Sequence, residues 1–261
     1  MAGRKRALPK LVAAGQDEAA APRRQNRVNL VELAYERIED LIVNCELKPG
    51  RFLAIQDLQE MTGFSRTPVH QAVTRLANDT LILVRPRHGV QIAPIDLARE
   101  RMLLQLRRDL ERFVIRLAAE KSSPTYRNQL LHVARVLRER RDGMTAGEFN
   151  VLDRRIDRLI LTAAAEPFLE HTMRPLHTIF RRIGWIHHTH IKGDANVHTT
   201  IDCHLAILDA VANRHVAQAM TASDALIDFV DSMFDTMERE VDPSLLDCSL
   251  EPLIPNPRKD T

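Results

Sequence analysis

The segment at residues 65–76, SRTPVHQAVTRL, constrains the fold of this chain more than any other stretch. Gly63 precedes it where helix–turn–helix corners favour glycine, Ser65 is predicted to cap the helix, and Pro68 falls in its first turn, where a missing N–H is tolerated. The apolar residues at helical spacing are Val69, Val73 and Leu76. The opposite face carries hydrogen-bond donors and short hydroxyls, namely Arg66, Thr67, His70, Gln71, Thr74 and Arg75. A helix that buries one face and offers donors on the other is suited to a DNA major groove.

The residues on either side of this helix predict two more helices and a β-hairpin. Helical spacing of apolar residues predicts an amphipathic helix over residues 30–45, and a short helix follows it. Its apolar positions are Leu30, Val31, Ala34, Ile38, Leu41 and Ile42. Residues 81–85 and 89–92 are β-prone runs joined by a basic tip that contains Arg87 and His88. Three helices and a basic hairpin together predict a winged helix–turn–helix.

The composition argues against several classes of protein. Lys and Arg number 37 against 35 Asp and Glu, so any case for nucleic acid rests on local pattern and not on total charge. Aromatic residues make up only 4%, which disfavours base stacking on RNA or single strands. No apolar run reaches the length of a membrane span and no signal-peptide pattern opens the chain, so no membrane partner is expected. The three cysteines are far apart and form no CxxC pair, which favours a reducing cytoplasm.

The second half of the chain is predicted to be a bundle of six or seven antiparallel helices, so the fold class is mainly α. Residues 93–95 form a short linker, and Asp96 is predicted to cap a long helix marked by an apolar series. That series is Leu103, Leu106, Leu110, Phe113, Val114 and Leu117. The further helices are predicted at about residues 123–141, 149–165, 167–188, 197–212 and 215–240. The domains are then a basic arm (1–27), the winged helix–turn–helix (28–93), a helical domain (96–241) and an irregular tail (242–261).

Both halves resemble known families. The motifs YERIEDLIVNCELKPGRFL, DLQEMTGFSRTPVHQAVTRL and LILVRPRHGVQI, over about residues 30–93, resemble the DNA-binding domain of the GntR superfamily of bacterial transcription regulators. The motifs LLQLRRDLERFVIRLAAE, LDRRIDRLI, AEPFL and DCHLAILDAV, in that order, are similar to the FCD domain, the all-helical effector domain of the FadR-type branch. The resemblance implies a DNA-binding head and an effector pocket inside the bundle.

The GntR resemblance implies which side chains contact DNA. Positions that match family contacts are Ser65, Arg66, Thr67 and His88. Gln56 and His70 stand where arginine is usual, and glutamine prefers adenine whereas arginine prefers guanine. Thr80 stands where a helix-terminating glycine is common, so the entry to the hairpin is expected to differ. The predicted DNA-contacting set is Ser65, Arg66, Thr67, His70, Gln71, Thr74, Arg75, Gln56, Arg87 and His88. The alternative for Arg66 is a surface ion pair with Asp57 or Glu60.

The FCD resemblance implies, in many members, a divalent metal held by one Asp and three His. The Asp falls on Asp153 and the second His on His204, whereas Asp157 replaces the first His and Ser223 stands near the third. Asp153 and Asp157 lie one helical turn apart on one face, where like charges repel, so a cation is expected beside them. One alternative is a divalent ion (Zn, Mn or Mg) held by Asp153, Asp157 and His204.

The other alternative needs no metal. Arg154, Arg158 or another nearby arginine would then offset the two carboxylates, which would form a salt-bridged helix face with His204 as an interior histidine. For the effector, Arg107 in the landmark LQLRRDLE is the predicted clamp for a carboxylate, because its fork matches that group.

Further effector candidates lie between residues 181 and 190. Arg181 and Arg182 are weaker candidates than Arg107, and the alternative for all three is an exposed cation on a helix. Adjacent histidines on a helix point apart, so the run at residues 187–190 cannot converge on one ion. His187 is predicted to face the pocket, while most of the run flanks the helix end.

These expectations combine into a ligand-responsive transcription regulator that acts as a homodimer, with higher oligomers left open. A repressor that reads an inverted repeat in double-stranded DNA and is released by a small carboxylate is favoured over an activator. Two other classes remain: a metal-dependent hydrolase or sensor bundle that uses the winged helix for protein contacts, and a nucleoid-type binder without sequence preference. The chain carries no phosphate loop and no GxSxG elbow, so no catalysis is expected. The basic arm either contacts DNA phosphates or has no role.

Overall fold

The computed structural model describes residues 29–192 and 197–250, so the predicted basic arm and the end of the tail lie outside the described residues. The first unit consists of α1 (Leu30–Val43), β1 (Phe52–Leu53), α2 (Ile55–Thr62), α3 (Arg66–Asn78), β2 (Ile82–Arg85) and β3 (Gly89–Ile92). Its three strands form an antiparallel sheet in the order β1-β3-β2. This unit is the predicted winged helix–turn–helix. Its helix–turn–helix motif consists of α2 and α3, and β2 and β3 form the wing.

The three helices pack as their apolar spacing predicts, with two differences at the helix starts. Val69, Val73 and Leu76 of α3 are buried in the core of this unit. Leu30, predicted as part of the buried face of α1, is 52% exposed because it is the first residue of the helix and precedes the core. Ser65 stands at the N-cap of α3 as predicted, but its side chain makes no capping hydrogen bond.

The wing depends on backbone conformations that its residues adopt at a cost. Gly89 has φ +85°, and a Cβ there would lie 2.4 Å from the carbonyl oxygen of Leu53, so glycine is required. Thr80 enters the wing with φ +62°, the left-handed conformation that a glycine would take more easily. Its hydroxyl accepts a hydrogen bond from Arg99 Nη2 at 3.0 Å, which ties the wing entry to the second unit. The two-residue β1 was not predicted, because so short a strand shows no alternation.

The second unit is the predicted helical bundle. Its helices are α4 (Leu97–Lys121), α5 (Pro124–Arg140), α6 (Ala146–Ala164), α7 (Pro167–Ile186), α8 (Val197–Ala212), α9 (Val216–Glu240) and α10 (Pro243–Leu246), with a 3₁₀ turn at Arg141–Gly143 and a π-helical turn at His187–Lys192. Asp96 caps α4 as predicted, because its side chain accepts from Arg99 N. Trp185, the only tryptophan of the chain, is half-buried against the bundle core on α7.

Two predicted boundaries in this unit are corrected. The fourth bundle helix was expected to reach residue 188, but α7 ends at Ile186 and the chain continues as the π-helical turn. The tail was expected to be irregular from residue 242, yet Pro243 starts a one-turn helix that Asp242 caps. Ile95 N donates to the Leu246 carbonyl at 2.8 Å, so this turn packs at the linker between the two units. None of the described helices has the length and apolarity that crossing a membrane would require.

Candidate functional site

The donors predicted to contact DNA lie together on the surface of the first unit, with one exception. The exposed members of the set are Gln56, Ser65, Arg66, Thr67, His70, Gln71, Thr74, Arg87 and His88. The ion pair considered as the alternative for Arg66 does not form among the described residues. Asp57 accepts from Ala54 N at 2.7 Å and Glu60 accepts from Gln56 Nε2 at 3.1 Å. Arg66 is therefore left facing solvent at the first turn of α3.

Arg75 is the exception, and its placement does not support the predicted DNA contact. Its Nη1 donates to Glu32 on α1 at 2.7 Å, and its guanidinium lies over the ring of Tyr35, 4.5 Å from the centroid. Helical spacing placed Arg75 correctly outside the core but could not show that Glu32, 43 residues earlier, faces it. Arg75 is thus held at the junction of the units.

A cavity of about 40 Å³ lies inside the helical bundle, between α4, α6, α7, α8 and α9. This is room for about three water molecules. Its polar lining comprises Arg107, Asn150, Asp153, Asp157, His177, Arg181, His188, Thr200 and His204. Its apolar lining includes Phe149, Phe180, Leu226, Val230 and Met233. Five residues predicted from the sequence for the effector or the metal are therefore brought together in one place.

Arg181 joins the two aspartates at the centre of this lining. Its Nε donates to Asp153 Oδ2 at 2.9 Å, and its Nη2 donates to Asp157 Oδ2 at 2.8 Å. His204 lies on the other side of Asp153, with Nε2 at 2.9 Å from Oδ1. The predicted cation beside Asp153 and Asp157 is thus an arginine, and it comes from α7.

A second set of charges continues from Asp157 towards α4. His177 Nδ1 lies 3.3 Å from Asp157 Oδ2, and its Nε2 lies 3.1 Å from Glu111 Oε2. Arg107 Nε donates to the same Glu111 oxygen at 3.3 Å. The network alternates acids and bases, so each charge has an opposite neighbour, which offsets the cost of burying Arg107, Glu111, His177, Arg181 and His204.

The pKa values in this network follow from burial against neighbouring charge. Burial raises the pKa of Glu111, but the charges of His177 and Arg107 outweigh it and bring the pKa down to about 2. Burial likewise opposes ionisation of Asp153, yet His204 and Arg181 lower its pKa. Burial opposes protonation of His204, but its ion pair with Asp153 raises its pKa. Asp153 and Glu111 are therefore carboxylates that hold His204 and His177 in place.

The residues present do not fit the divalent ion predicted for Asp153, Asp157 and His204. Across residues 29–192 and 197–250 no group of three or more His, Cys, Asp or Glu side chains is arranged to hold a metal ion. His204 Nδ1 faces the Thr200 carbonyl at 2.7 Å and Nε2 faces a carboxylate, so both nitrogens serve as donors and neither offers a lone pair. Asp224, next to Ser223, points instead to Arg108 and Arg112 on α4.

Other predicted residues lie elsewhere, and several lining residues were not predicted. Arg182 is buried, but it donates to the Ala93 carbonyl and pairs with Glu100 at the linker. His188, and not His187, lines the cavity, and it continues the helical spacing of His177, Arg181 and Gly184. His177 and Glu111 carry no local signal, since neither has an acid or a histidine four residues after it.

The helices that line the cavity also hold α1 of the first unit, through contacts that we call the α1 clamp. Its ion pairs are Arg154–Asp40, Arg158–Glu36 and Arg174–Glu32. Arg154 and Arg158, suggested from sequence as partners of the aspartates, thus face the other way. Glu39 of α1 is 1% exposed and accepts from the Thr178 hydroxyl. Asn150 lines the cavity and donates to Asn44 at the end of α1 at 3.2 Å.

Arg174 extends this clamp to α3. Glu32 accepts from Arg174 Nη1 and from Arg75 Nη1, both at 2.7 Å. The two guanidinium groups also lie over the Tyr35 ring, at 4.0 Å and 4.5 Å from its centroid. The Tyr35 hydroxyl donates to Asp79, the C-cap of α3, at 2.7 Å. One buried ring therefore connects a cavity helix with the helix that carries the predicted DNA-contacting residues.

Comparison with known proteins agrees with this architecture. Residues 30–92 match the model of the gntR family of bacterial regulatory proteins, and residues 102–229 match that of the FCD domain. The HTH-type transcriptional repressor RspR of Escherichia coli K12 is 28% identical over 193 residues, 72% of this chain and 82% of RspR.

Two solved structures share the fold. The structure of E. coli McbR/YncC superposes with a TM-score of 0.70 at 18% identity, over 81% of this chain and 100% of that one. A GntR transcriptional regulator from Rhodococcus sp. RHA1 gives a TM-score of 0.59 at 14% identity, over 79% of this chain and 97% of that one. The family matches point to DNA-binding regulators and not to enzymes, which removes the hydrolase alternative. The chain is therefore a transcription regulator of the GntR family with a C-terminal FCD domain.

Proposed function

We propose that this regulator is a homodimeric repressor that reads an inverted repeat and is released when a small carboxylate enters the bundle cavity. The observation that carries the proposal is the pairing of two features in one chain. A surface of free donors on α3 and the wing suits DNA, and a cavity with two buried arginines suits an anion. The α1 clamp lies between them.

The cavity chemistry supports a carboxylate. Arg107 and Arg181 are 8% and 7% exposed, and Arg181 Nη1 has no hydrogen-bond partner among the described residues. An unpaired buried N–H is costly, so an acceptor that reaches it gains free energy. The available volume takes a carboxylate group, whereas the rest of a ligand must displace side chains such as Met233 or Phe180. Such displacement is what an effector needs in order to change the conformation around it.

An exposed apolar seam on α4 supports the homodimer. Leu103, Leu106, Leu110, Phe113 and Leu117 follow the 3-4 spacing of coiled-coil seams. Leu106 and Phe113 are 49% and 43% exposed, and the other three are half-buried. A contiguous apolar stripe left facing solvent marks a protein contact, and a two-fold contact along α4 would place two recognition helices for matching half-sites.

The α1 clamp gives the route from cavity to DNA. Asp153 and Asp157 face the cavity on α6, while Arg154 and Arg158 on the same helix hold α1. A ligand that moves α6 or α7 therefore changes how α1 is held. Release of the operator requires the ligand to prefer the released arrangement by on the order of a hundredfold, or about 3 kcal/mol.

Arg107→Gln tests the effector site. We expect a carboxylate that binds wild type to lose about tenfold to a hundredfold in affinity, because a charge-assisted hydrogen bond contributes about 1.5–3 kcal/mol. The probe is a panel of small mono- and dicarboxylates, screened by thermal shift and followed by calorimetry. Arg135→Gln, an exposed arginine on α5, is the matched control. Normal uptake by Arg107→Gln would place the effector elsewhere.

Arg174→Gln tests the route. This change removes the cation shared by Glu32 and the Tyr35 ring but leaves the cavity lining intact. We expect carboxylate affinity to stay within about threefold of wild type, while the ligand-induced loss of operator affinity falls from about a hundredfold to less than about tenfold. The measurement is operator binding by fluorescence anisotropy with and without the ligand. An unchanged ligand effect in Arg174→Gln would show that coupling does not pass through the clamp.

A further inference from the structure

We infer that Arg181 is a permanent internal replacement for a divalent cation, so that the effector cavity works without a metal and presents this arginine directly to the ligand. The part about the ligand rests on the proposed function of the cavity. The part about the metal stands on the side-chain geometry alone. No comparison assigns either role to Arg181.

The Arg181 guanidinium occupies the place that a bridging metal ion would need. It bridges Asp153 and Asp157 through two separate nitrogens, at 2.9 Å and 2.8 Å. An ion that used both carboxylates would have to lie between the same oxygens. The guanidinium is 7% exposed and is held by α7 packing, so a metal could enter only by expelling a buried cation or by sitting beside it against charge repulsion.

The side chains around this place already have protein partners and are not free to bind a metal ion. All three side chains predicted to hold an ion have other partners: Asp153 and Asp157 pair with Arg181, and both ring nitrogens of His204 face protein acceptors. Ser223 is buried on α9, and its hydroxyl is a weak ligand for these ions. Asp157 stands where the FCD resemblance implies a histidine. An aspartate suits a neighbouring arginine better, because an anion pairs with a guanidinium whereas an imidazole does not.

Arg181 also has a donor nitrogen that neither aspartate uses. Within the part of the chain that the structure describes, its Nη1 is buried without a partner, while Nε and Nη2 donate to the aspartates. Arg107 also lines the cavity, and the Nη1 amino group of Arg181 belongs to a cation that cannot lose its charge. An anionic oxygen of the ligand would therefore meet Arg181 itself, in the role that a metal ion would otherwise fill.

The test is to measure metal content and to restore a metal site. We expect wild-type protein, purified without chelator, to carry less than about 0.1 equivalent of Zn, Mn or Mg by elemental analysis and native mass spectrometry. Its unfolding midpoint should not change in EDTA or in added Zn²⁺. The variant Asp157→His/Ser223→His/Arg181→Ala gains two histidines beside His204 and loses the guanidinium, so Zn²⁺ should bind near one equivalent and raise the midpoint.

The matched control is Asp157→His/Ser223→His with Arg181 retained, in which we expect Zn²⁺ affinity at least about tenfold weaker than in the triple variant. Equal affinity, or a folded triple variant that binds no Zn²⁺, would overturn the role of Arg181, as would about one equivalent of metal in wild type. If the triple variant misfolds, Arg181→Gln is used instead. We expect Mn²⁺ to raise the unfolding midpoint of Arg181→Gln but not that of wild type. An unchanged midpoint in Arg181→Gln counts against the inference. If the proposed function is wrong, Arg107→Gln will bind carboxylates as wild type does, whatever the metal measurements show.

Discussion

Arg66→Ala is expected to weaken operator binding by about thirtyfold to ten-thousandfold while leaving the fold and the dimer intact. Arg66 is exposed at the first turn of α3, and the acids nearest to it in sequence are engaged elsewhere, so its charge is free for DNA. A base-reading arginine contributes about 1–3 kcal/mol, and a two-fold dimer loses that amount twice. The measurement is anisotropy on a duplex that the wild-type protein has selected from a random pool.

The control for this result is Arg135→Ala, which removes the same charge from α5 outside the DNA-binding unit. Circular dichroism and light scattering establish that both variants remain folded and of the same mass. A loss that depends on sequence would assign Arg66 to a base, and a uniform loss with a smaller salt slope would assign it to a phosphate. Undiminished affinity in Arg66→Ala would remove α3 as the DNA-contacting helix.

Leu106→Asp is expected to convert the protein to monomers at micromolar concentration and to abolish high-affinity binding to the full operator. Leu106 is the most exposed position of the α4 seam, at 49%, and a two-fold contact would bury the new carboxylate twice without a partner. Each buried, unpaired carboxylate costs several kcal/mol, which exceeds the free energy that the apolar contacts of a seam of this length contribute. A monomer keeps only one recognition helix, so affinity for the inverted repeat should approach that for a half-site.

Light scattering and analytical ultracentrifugation measure the mass, and Leu131→Asp on α5 is the matched control because Leu131 is also an exposed leucine, at 38%. Phe113→Asp repeats the test one heptad later. If both seam variants stay dimeric, the dimer contact lies elsewhere. A footprint without a discrete palindrome in wild type would instead favour the nucleoid-type alternative.

The winged helix–turn–helix could be predicted from the sequence because its signals are local. Gly63 before α3, the run Val69–Val73–Leu76 and the wing tip at Arg87 each act within a few residues. The spacing of Asp153 and Asp157 likewise predicted that both would share one face and need a cation.

The partners of these residues could not be predicted, since they come from distant helices. Arg181 lies 28 residues from Asp153 and was assigned to the effector, whereas the two arginines next to the aspartates hold α1. Arg75 has the periodicity of an exposed donor, and only the fold brings Glu32 and Tyr35 to it. Of the two adjacent histidines, His188 lines the cavity where His187 was predicted.

The place of Trp185 gives this regulator an intrinsic optical signal. No other tryptophan emits, and this one follows Gly184, which lines the cavity, on the helix that carries Arg181. An arriving molecule that shifts α7 alters the surroundings of the indole ring, so emission wavelength and quenching report occupancy without any label. Libraries of unmodified metabolites can therefore be surveyed in plate format, and the compound that elicits the response identified from fluorescence alone.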